Sequence, residues 1–347
     1  MSQISYYVTG NTAEGFINYL QSNLKGVRQV FVLKHESNKI KTTVLRYLLK
    51  VFEEENEVEV LLSTLGEKYL DGLIIRNQSL AVISDYIHDP ELKNVNVIDL
   101  TSFIEELPSD QKIETNKAKI KDHIQQSYDN FTQGLKIHDE LESIYIDEMD
   151  FEKADKITKE FIEELFENIP QKENESIIYK RLFGTNTPEG AVNIVPDILS
   201  TIQHAYFIKG RAGTGKSTFM KKVLSACKKH GFDIEVYHCS FDPQSIDMVL
   251  VRELSFCIFD STNPHEFYPK HDGHKIIDMY KETVTPGTDE KYADEIKEVT
   301  VRYKSYMKKG IEKLKEADIY LDQVEERYEF NMDEQEDRLK EIYSKIV

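Results

Sequence analysis

The sequence of 347 residues has no tryptophan, only three cysteines and far fewer basic than acidic side chains. An odd, low number of cysteines without framework spacing excludes a disulfide-stabilised scaffold and favours free thiols in a reducing compartment. Lys and Arg number 44 against 62 Asp and Glu, so the net charge is −18. This charge disfavours a protein that coats nucleic acid or an anionic membrane, because both are bound through Lys and Arg.

Long hydrophobic runs are also missing, since no stretch approaches the roughly 18 apolar residues that a membrane span needs. The segment Met1–Ser5 lacks the basic region and apolar run of a signal peptide. We therefore expect a soluble, cytoplasmic protein without a membrane or nucleic-acid partner. Hydrophobic residues still make up 40% of the chain, enough for a sizeable core, and the length predicts two domains.

The second half of the sequence repeats the first at a nearly constant offset. Segments 12–15, 31–34 and 41–43 align at an offset of 175 with 187–190, 206–209 and 216–218. At an offset of 176, residues 58–60, 71, 81–83 and 134 align with 234–236, 247, 257–259 and 310. We predict two tandem units, residues 1–172 and 173–347.

Each unit shows short apolar segments that alternate with helix-like segments, a pattern typical of a parallel α/β sheet. In the second unit, Thr187, Pro188 and Glu189 predict a helix start, with Thr as the N-cap and Pro at the first helical position. The predicted helices that follow the second strand of each unit are 42–53 and 217–230. The fold class expected from this order is two tandem parallel-sheet units.

Each unit ends in a charged, helix-favouring segment, about 114–170 in the first and about 289–345 in the second. Apolar residues recur there every three or four positions, which predicts long amphipathic helices. They are Ile120, Ile124, Tyr128, Phe131 and Leu135, then Ile296, Val299, Tyr303, Met307 and Ile311. Two packings remain open: a helical hairpin on its own unit, which we favour, or a coiled-coil-like arm that pairs with the other unit or another chain.

The strongest chemical signal is Gly210–Ser217, with the sequence Gly-Arg-Ala-Gly-Thr-Gly-Lys-Ser. It fits G-x-x-x-x-G-K-[ST] between an apolar strand and a helix. Its glycines let successive backbone N–H groups turn toward phosphate oxygens, Lys216 offers a cation to the β and γ phosphates, and Ser217 offers a hydroxyl to Mg²⁺. The predicted nucleotide contacts are Gly210, Arg211, Ala212, Gly213, Thr214, Gly215, Lys216, Ser217 and Thr218.

This loop is that of the P-loop NTPase superfamily, and the second unit resembles a poorly characterised bacterial family of internally duplicated P-loop proteins, usually labelled as ATPases. The resemblance extends through 187–190, 210–217, 238–240, 245–247 and 260–265. It covers the second unit well and the first weakly. It implies the P-loop fold and a bound nucleotide, ATP with Mg²⁺, and no particular substrate.

The first unit carries an altered loop at 34–42. Lys41 and Thr42 occupy the positions of Lys216 and Ser217, but His35, Asn38 and Ile40 replace the three glycines. These side chains do not readily adopt the angles of a phosphate cradle, and Glu36 repels phosphate. We predict a degenerate site that binds no triphosphate.

An acidic residue should end a strand beside the glycine-rich loop, and Asp260 after the apolar run 256–259 fits this position. With Ser217 it is the predicted Mg²⁺ ligand. Ser261 follows where many ATPases place a glutamate, so the catalytic base stays open among Asp242, Asp247 and His265. We assign catalytic roles to Lys216, Asp260 and Asp242.

The function that these residues favour is a Mg²⁺-dependent ATPase or a nucleotide-controlled switch with one active site. The alternatives are a small-molecule or nucleotide kinase, which the scarcity of Arg after Asp260 disfavours, and a non-hydrolysing scaffold that binds nucleotide and acts through its helical arms. The arms suggest a protein partner or self-association. If the two units pack about a two-fold axis, Lys34, His35 or Lys39 could reach across to the intact site.

Overall fold

Two six-stranded sheets with the same strand order form the framework of the chain. The computed structural model describes residues 3–101, 110–263, 266–328 and 335–347. The first half contains β1 (Gln3–Tyr6), β2 (Thr9–Thr12), β3 (Gly15–Asn18), β4 (Gln29–Lys34), β5 (Val58–Leu62), β6 (Leu70–Ile75), β7 (Leu80–Ser84) and β8 (Val95–Asp99). The second half contains β9 (Ile178–Leu182), β10 (Gly184–Thr187), β11 (Gly190–Asn193), β12 (His204–Lys209), β13 (Ile234–His238), β14 (Ile246–Val251), β15 (Phe256–Asp260) and β16 (His274–Asp278).

The sheets run β1-β5-β6-β7-β4-β8 and β9-β13-β14-β15-β12-β16. The expected α/β class is confirmed, but the sheets are mixed and not parallel. Strand β6 is antiparallel to β5 and β7, as β14 is to β13 and β15, while the other pairs are parallel. The cause is local: tight turns at 76–79 and 252–255 leave no room for the crossover helix that parallel neighbours need.

The predicted helix start at Thr187 is wrong, because Pro188 and Glu189 form the turn of the hairpin β10–β11. Thr187 donates its hydroxyl to the backbone oxygen of Gly190 at 3.0 Å. Gly190 has φ +133°, a conformation that a helix start does not use and that glycine adopts without strain. The first half has the matching hairpin β2–β3.

The expected long helices are confirmed. No helix in the described part of the chain is long and apolar enough to cross a membrane. The helices are α1 (Leu20–Asn23), α2 (Asn38–Phe52), α3 (Gln111–Ile146), α4 (Phe151–Phe166), α5 (Val195–Leu199), α6 (Lys216–Lys229), α7 (Met279–Thr283), α8 (Thr288–Lys291), α9 (Ala293–Glu325) and α10 (Glu336–Ile346).

Helices α3 and α9, one from each half, pack antiparallel along their lengths. Asn116 of α3 donates to Gln323 of α9 at 3.0 Å, and at the other end of the pair Arg302 lies 3.0 Å from Glu140. Between them, Gly310 allows close contact with the Phe131 ring. Of the two packings left open by the sequence, the structure thus has arms that pair with the other half, and the helical hairpin is wrong.

The last helix of each half completes the core of the other half. Phe166 of α4 shares a hydrophobic cluster with Phe219 and Val223 of α6. In the same way, Ile342 of α10 packs into the cluster around Leu48 of α2. Because burying such side chains supplies most of the free energy of folding, the two halves stabilise each other.

The halves also meet at a reciprocal interface between their sheets. The side-chain amide of Asn11 donates to the Asn186 backbone oxygen at 2.8 Å, and that of Asn186 donates to the Asn11 backbone oxygen at 2.9 Å. Nearby, buried Arg181 lies 2.6 Å from Glu235 and 3.7 Å from Glu59, which supplies the opposite charge that a buried guanidinium requires. Reciprocal bonds between residues 175 apart are typical of a two-fold interface.

Candidate functional site

The glycine-rich loop, Gly210–Ser217, joins β12 to α6 at the carboxyl end of the second sheet. Gly213 and Gly215 have φ values of +73° and +76°, in the left-handed region that glycine adopts readily. At Gly210 an added Cβ would lie 2.4 Å from Thr214 Oγ1. The loop leads directly into α6. Its backbone N–H groups and the positive end of the helix dipole therefore favour an anion at the same position.

Lys216 and Asp260 are brought together at this edge of the sheet. Strand β15 runs parallel to β12, so both strands end beside the loop. Lys216 Nζ lies 3.5 Å from Asp260 Oδ2 and donates to the Arg211 backbone oxygen at 2.6 Å. The Lys216 side chain is only 10% exposed, because it folds back onto the loop.

Ser217 and Asp260 offer the oxygen donors that suit Mg²⁺. Ser217 Oγ accepts from the Ile246 backbone N–H at 3.0 Å and keeps a second lone pair. Asp260 Oδ1 accepts from the backbone N–H and hydroxyl of Thr262 at 3.0 and 2.5 Å, which leaves Oδ2 toward Lys216. Within the described ranges no group of three or more His, Cys, Asp or Glu could hold a metal ion. Mg²⁺ does not require one, since phosphates and water complete its coordination.

The proposed bases differ in their surroundings. Asp242 lines the cleft beside the loop, and its two oxygens accept from the Gln244 backbone N–H at 3.0 Å and the Ser245 hydroxyl at 2.6 Å. Asp247 on β14 is half-buried and lines the same cleft, and desolvation, followed by the charge of Asp260, raises its pKa. His265 lies outside the residues that the structure describes.

A cleft of about 1580 Å³ opens on the glycine-rich loop. One wall is the sheet edge, and the others come from α3 and α9. Both halves of the chain therefore line it. The residues Lys34, His35 and Lys39, suggested as donors from the first half, are not among the described residues that line the cleft; the first half reaches it through α3.

The walls of the cleft include four polar residues of α3, and sequence reasoning missed all of them. They are His138, Asp139, Glu142 and Tyr145. The Tyr145 hydroxyl donates to Asp289 at 2.9 Å, and the other oxygen of Asp289 accepts from Arg211 at 2.9 Å. The amphipathic stripe signalled the helix but not the half on which it packs.

The backbone of Glu142 packs directly against the loop. A Cβ added to Gly213 would lie 2.5 Å from the Glu142 backbone oxygen. His138 Nδ1 lies 3.7 Å from the Glu142 carboxylate. Burial, together with Asp139 and Asp242, raises the pKa of Glu142, while Lys216 and the Gly213 amide act in the opposite direction.

The first-half loop, residues 34–42, has a carboxylate where the glycine-rich loop has a cleft. Glu325 at the end of α9 accepts from the backbone N–H groups of Asn38 at 2.7 Å and Lys39 at 3.4 Å, and from the Ser37 hydroxyl. Burial raises the pKa of Glu325, and these three donors oppose the shift. The buried Lys41, the counterpart of Lys216, forms an ion pair with the partly exposed Asp85.

Comparisons of the chain with models of protein families, with curated proteins and with solved structures found no match. The resemblance to P-loop proteins therefore stays a prediction from the loop sequence. What supports a function is the arrangement of the glycine-rich loop, Lys216, Asp260 and the cleft beside them.

Proposed function

We propose that the chain is an ATP-binding protein of the P-loop class, a Mg²⁺-dependent ATPase or nucleotide-controlled switch with one active site in its second half. The observation that carries the proposal is the convergence of three features at one sheet edge. The glycine-rich loop, the Lys216–Asp260 pair and a cleft large enough for a nucleotide open onto one another. A glycine-rich turn without a ligand needs neither the lysine nor the cleft.

In this proposal, the loop from Gly210 to Thr218 holds the phosphates. Its backbone N–H groups donate hydrogen bonds to the phosphate oxygens, and the Lys216 ammonium, which donates to the Arg211 carbonyl in this structure, turns to the phosphates when they bind. Ser217 and Asp260 hold Mg²⁺, which when bound neutralises phosphate charge. Asp242 orients water; each of its oxygens accepts one hydrogen bond from the protein and retains a further lone pair.

The first half is then a duplicate of the second that has lost nucleotide binding. The shared strand order and the aligned hairpins support an origin by duplication, with units at 1–172 and 173–347. Glu325 fills the position at the start of α2 that a phosphate would take. The first half thus contributes to the intact site through α3. Because the helical arms pair with each other within the chain, they do not identify another protein as a partner.

The test is calorimetric titration of the full chain with ATP and Mg²⁺, followed by assays of phosphate release and ADP formation. Phosphate release with water alone supports an ATPase. ADP formation that requires an added phosphate acceptor would favour the kinase. ATP binding without turnover would favour the switch or the scaffold. The matched control is Lys216→Met, which keeps the buried aliphatic stem and removes the charge. Absence of binding to the wild type would contradict the proposal.

A further inference from the structure

The side chain of Arg211, the second residue of the glycine-rich loop, is held at the cleft by residues outside the loop. Its Nη2 donates to one oxygen of Asp289 at 2.9 Å, and its Nε donates to the same oxygen at 3.3 Å. The guanidinium carbon lies 4.7 Å from the centre of the Tyr280 ring, within the range of a cation–π contact. The side chain is nevertheless 48% exposed and lines the cleft. The guanidinium is therefore fixed in position and still accessible to a ligand.

The guanidinium of Arg211 keeps hydrogen-bond donors for an anion. A guanidinium has five N–H groups. Two of them donate to Asp289, and one on Nη1 donates to the Gly210 backbone oxygen at 3.4 Å. One N–H on Nη1 and one on Nη2 remain. Arg binds phosphate through such neighbouring N–H groups, each of which donates to a different oxygen.

Tyr145 of α3 fixes the carboxylate that holds Arg211. Its hydroxyl donates to the other oxygen of Asp289 at 2.9 Å, and Tyr145 itself is only 1% exposed. Just after Tyr145, the Glu148 backbone oxygen accepts from the Thr285 backbone N–H at 2.9 Å, which joins the end of α3 to the segment before Asp289. The first half of the chain therefore supports the Asp289 carboxylate from two directions.

The first-half loop has the same order of contacts with the charges reversed. Glu36 aligns with Arg211 at an offset of 175. The Glu36 carboxylate accepts from the Tyr328 hydroxyl at 2.9 Å and lies 3.1 Å from Lys117. In each loop, a tyrosine from the other half donates to the carboxylate of an ion pair. Only the glycine-rich loop contributes the cation of that pair, and a cation is the charge that favours a phosphate.

We propose that the Arg211 guanidinium binds a phosphate of the nucleotide, and that Asp289 and Tyr145 are positioning residues that fix the guanidinium for this contact. The inference rests on the proposed function and gives the first half a role in its site. Because the guanidinium is fixed before the ligand arrives, less side-chain freedom is lost on binding. Removing the Tyr145 hydroxyl loosens Asp289, and with it Arg211, without changing the charge of the site.

The experiment is a double-mutant cycle in the full chain, measured as ATP–Mg²⁺ affinity by calorimetric titration. Arg211→Gln weakens ATP binding about twentyfold, the size of one charge-assisted hydrogen bond. Tyr145→Phe weakens it about fivefold in the wild type, the size of one neutral hydrogen bond. In the Arg211→Gln background, Tyr145→Phe weakens it by less than about twofold, because the hydroxyl acts through Arg211.

The matched control is Tyr306→Phe. Tyr306 packs against the same hydrophobic cluster as Tyr145, and its hydroxyl has no hydrogen bond to the residues that the structure describes. This variant loses a hydroxyl from the same pair of helices and binds ATP within about twofold of the wild type.

Three results would overturn the inference while leaving the proposed function standing. Unchanged ATP binding in Arg211→Gln would contradict the phosphate contact. Unchanged or tighter binding in Tyr145→Phe, or equal weakening in both backgrounds, would contradict the positioning role. If the wild type does not bind ATP, both proposals fall. If Tyr145→Phe does not fold, Tyr280→Leu, which removes the ring that contacts the guanidinium, takes its place in the same cycle.

Discussion

The two loops of this chain lie at matching positions on matching sheets. They differ in the group that faces their backbone N–H donors. The glycine-rich loop faces a cleft of about 1580 Å³. The first-half loop, which has no glycine, is closed by the Glu325 carboxylate. A helix start leaves backbone donors without partners, so it needs an acceptor from a ligand, water or a side chain. In the first-half loop, another part of the chain supplies the anion.

The largest expected effect separates the two lysines. Lys216→Met lowers ATP affinity about a thousandfold, because the site loses its cation for the phosphates. Lys41→Met changes ATP affinity by less than about twofold, since Lys41 pairs with Asp85 inside the first half. Calorimetric titration of both variants measures the difference. Equal losses of affinity would show that both loops bind nucleotide.

The second effect is on stability and tests whether Glu325 closes the first-half loop. Glu325→Gln loses the charge and turns an amide toward the donors of Ser37, Asn38 and Lys39, so the free energy of unfolding falls by about 2 kcal/mol. The exposed neighbour is the control, and Glu326→Gln stays within about 0.5 kcal/mol of the wild type. Urea denaturation decides, and similar values for the two variants would contradict the closed loop.

The sequence predicted the parts of the molecule that depend on neighbours in the chain. The glycine-rich loop lies between a strand and a helix, and the long helices are present, because spacing and periodicity are local signals. The mixed sheet was missed, since the turns that join β6 to β7 and β14 to β15 are too short to stand out. Thr187–Pro188–Glu189 suits a helix start and a hairpin turn alike, and its flanking strands decided between them.

The site residues that the sequence missed come from the other half of the chain. Nothing in the spacing of α3 indicates that Glu142 contacts Gly213 or that Glu325 contacts Asn38, because these residues are 71 and 287 positions apart. An apolar stripe predicts burial and does not identify the partner surface. The exchange of helices between halves is a property of the assembled fold.

A third prediction uses Asp71, the counterpart of Asp247. Burial raises the pKa of Asp71 to about 7 from the ordinary value of 3.8, and hydrogen bonds from Ser63 and Thr9 oppose the shift. The folded protein therefore holds a proton that the unfolded chain releases, and stability falls as pH rises from about 4 to about 7.

Asp71→Asn removes this contribution and reduces the slope by at most about 1.4 kcal/mol per pH unit. Asp247 in the second half, whose pKa is also raised, accounts for the dependence of stability on pH that remains in this variant. Denaturation at several pH values measures both. An unchanged slope in Asp71→Asn would show that Asp71 is ionised in the folded protein.

The smallest effect concerns the aligned glycines where α3 crosses α9. A Cβ at Gly310 would lie 2.3 Å from the buried Phe131 ring, whereas at Gly134 the nearest atom, Met307 Sδ, is 3.4 Å away. Gly310→Ala destabilises the protein by about 1 kcal/mol after the gain in helix propensity. Gly134→Ala is neutral or slightly stabilising. Thermal unfolding ranks them, and the opposite order would contradict the helix crossing.

The number of nucleotides bound per chain tests the central claim most directly, namely that the protein has one open phosphate site and one that its own carboxylate fills. Titration of the full chain with ATP and Mg²⁺ should give one site per chain, none in Lys216→Met and one in Lys41→Met. Two sites in the wild type, with one lost in Lys41→Met, would contradict the account.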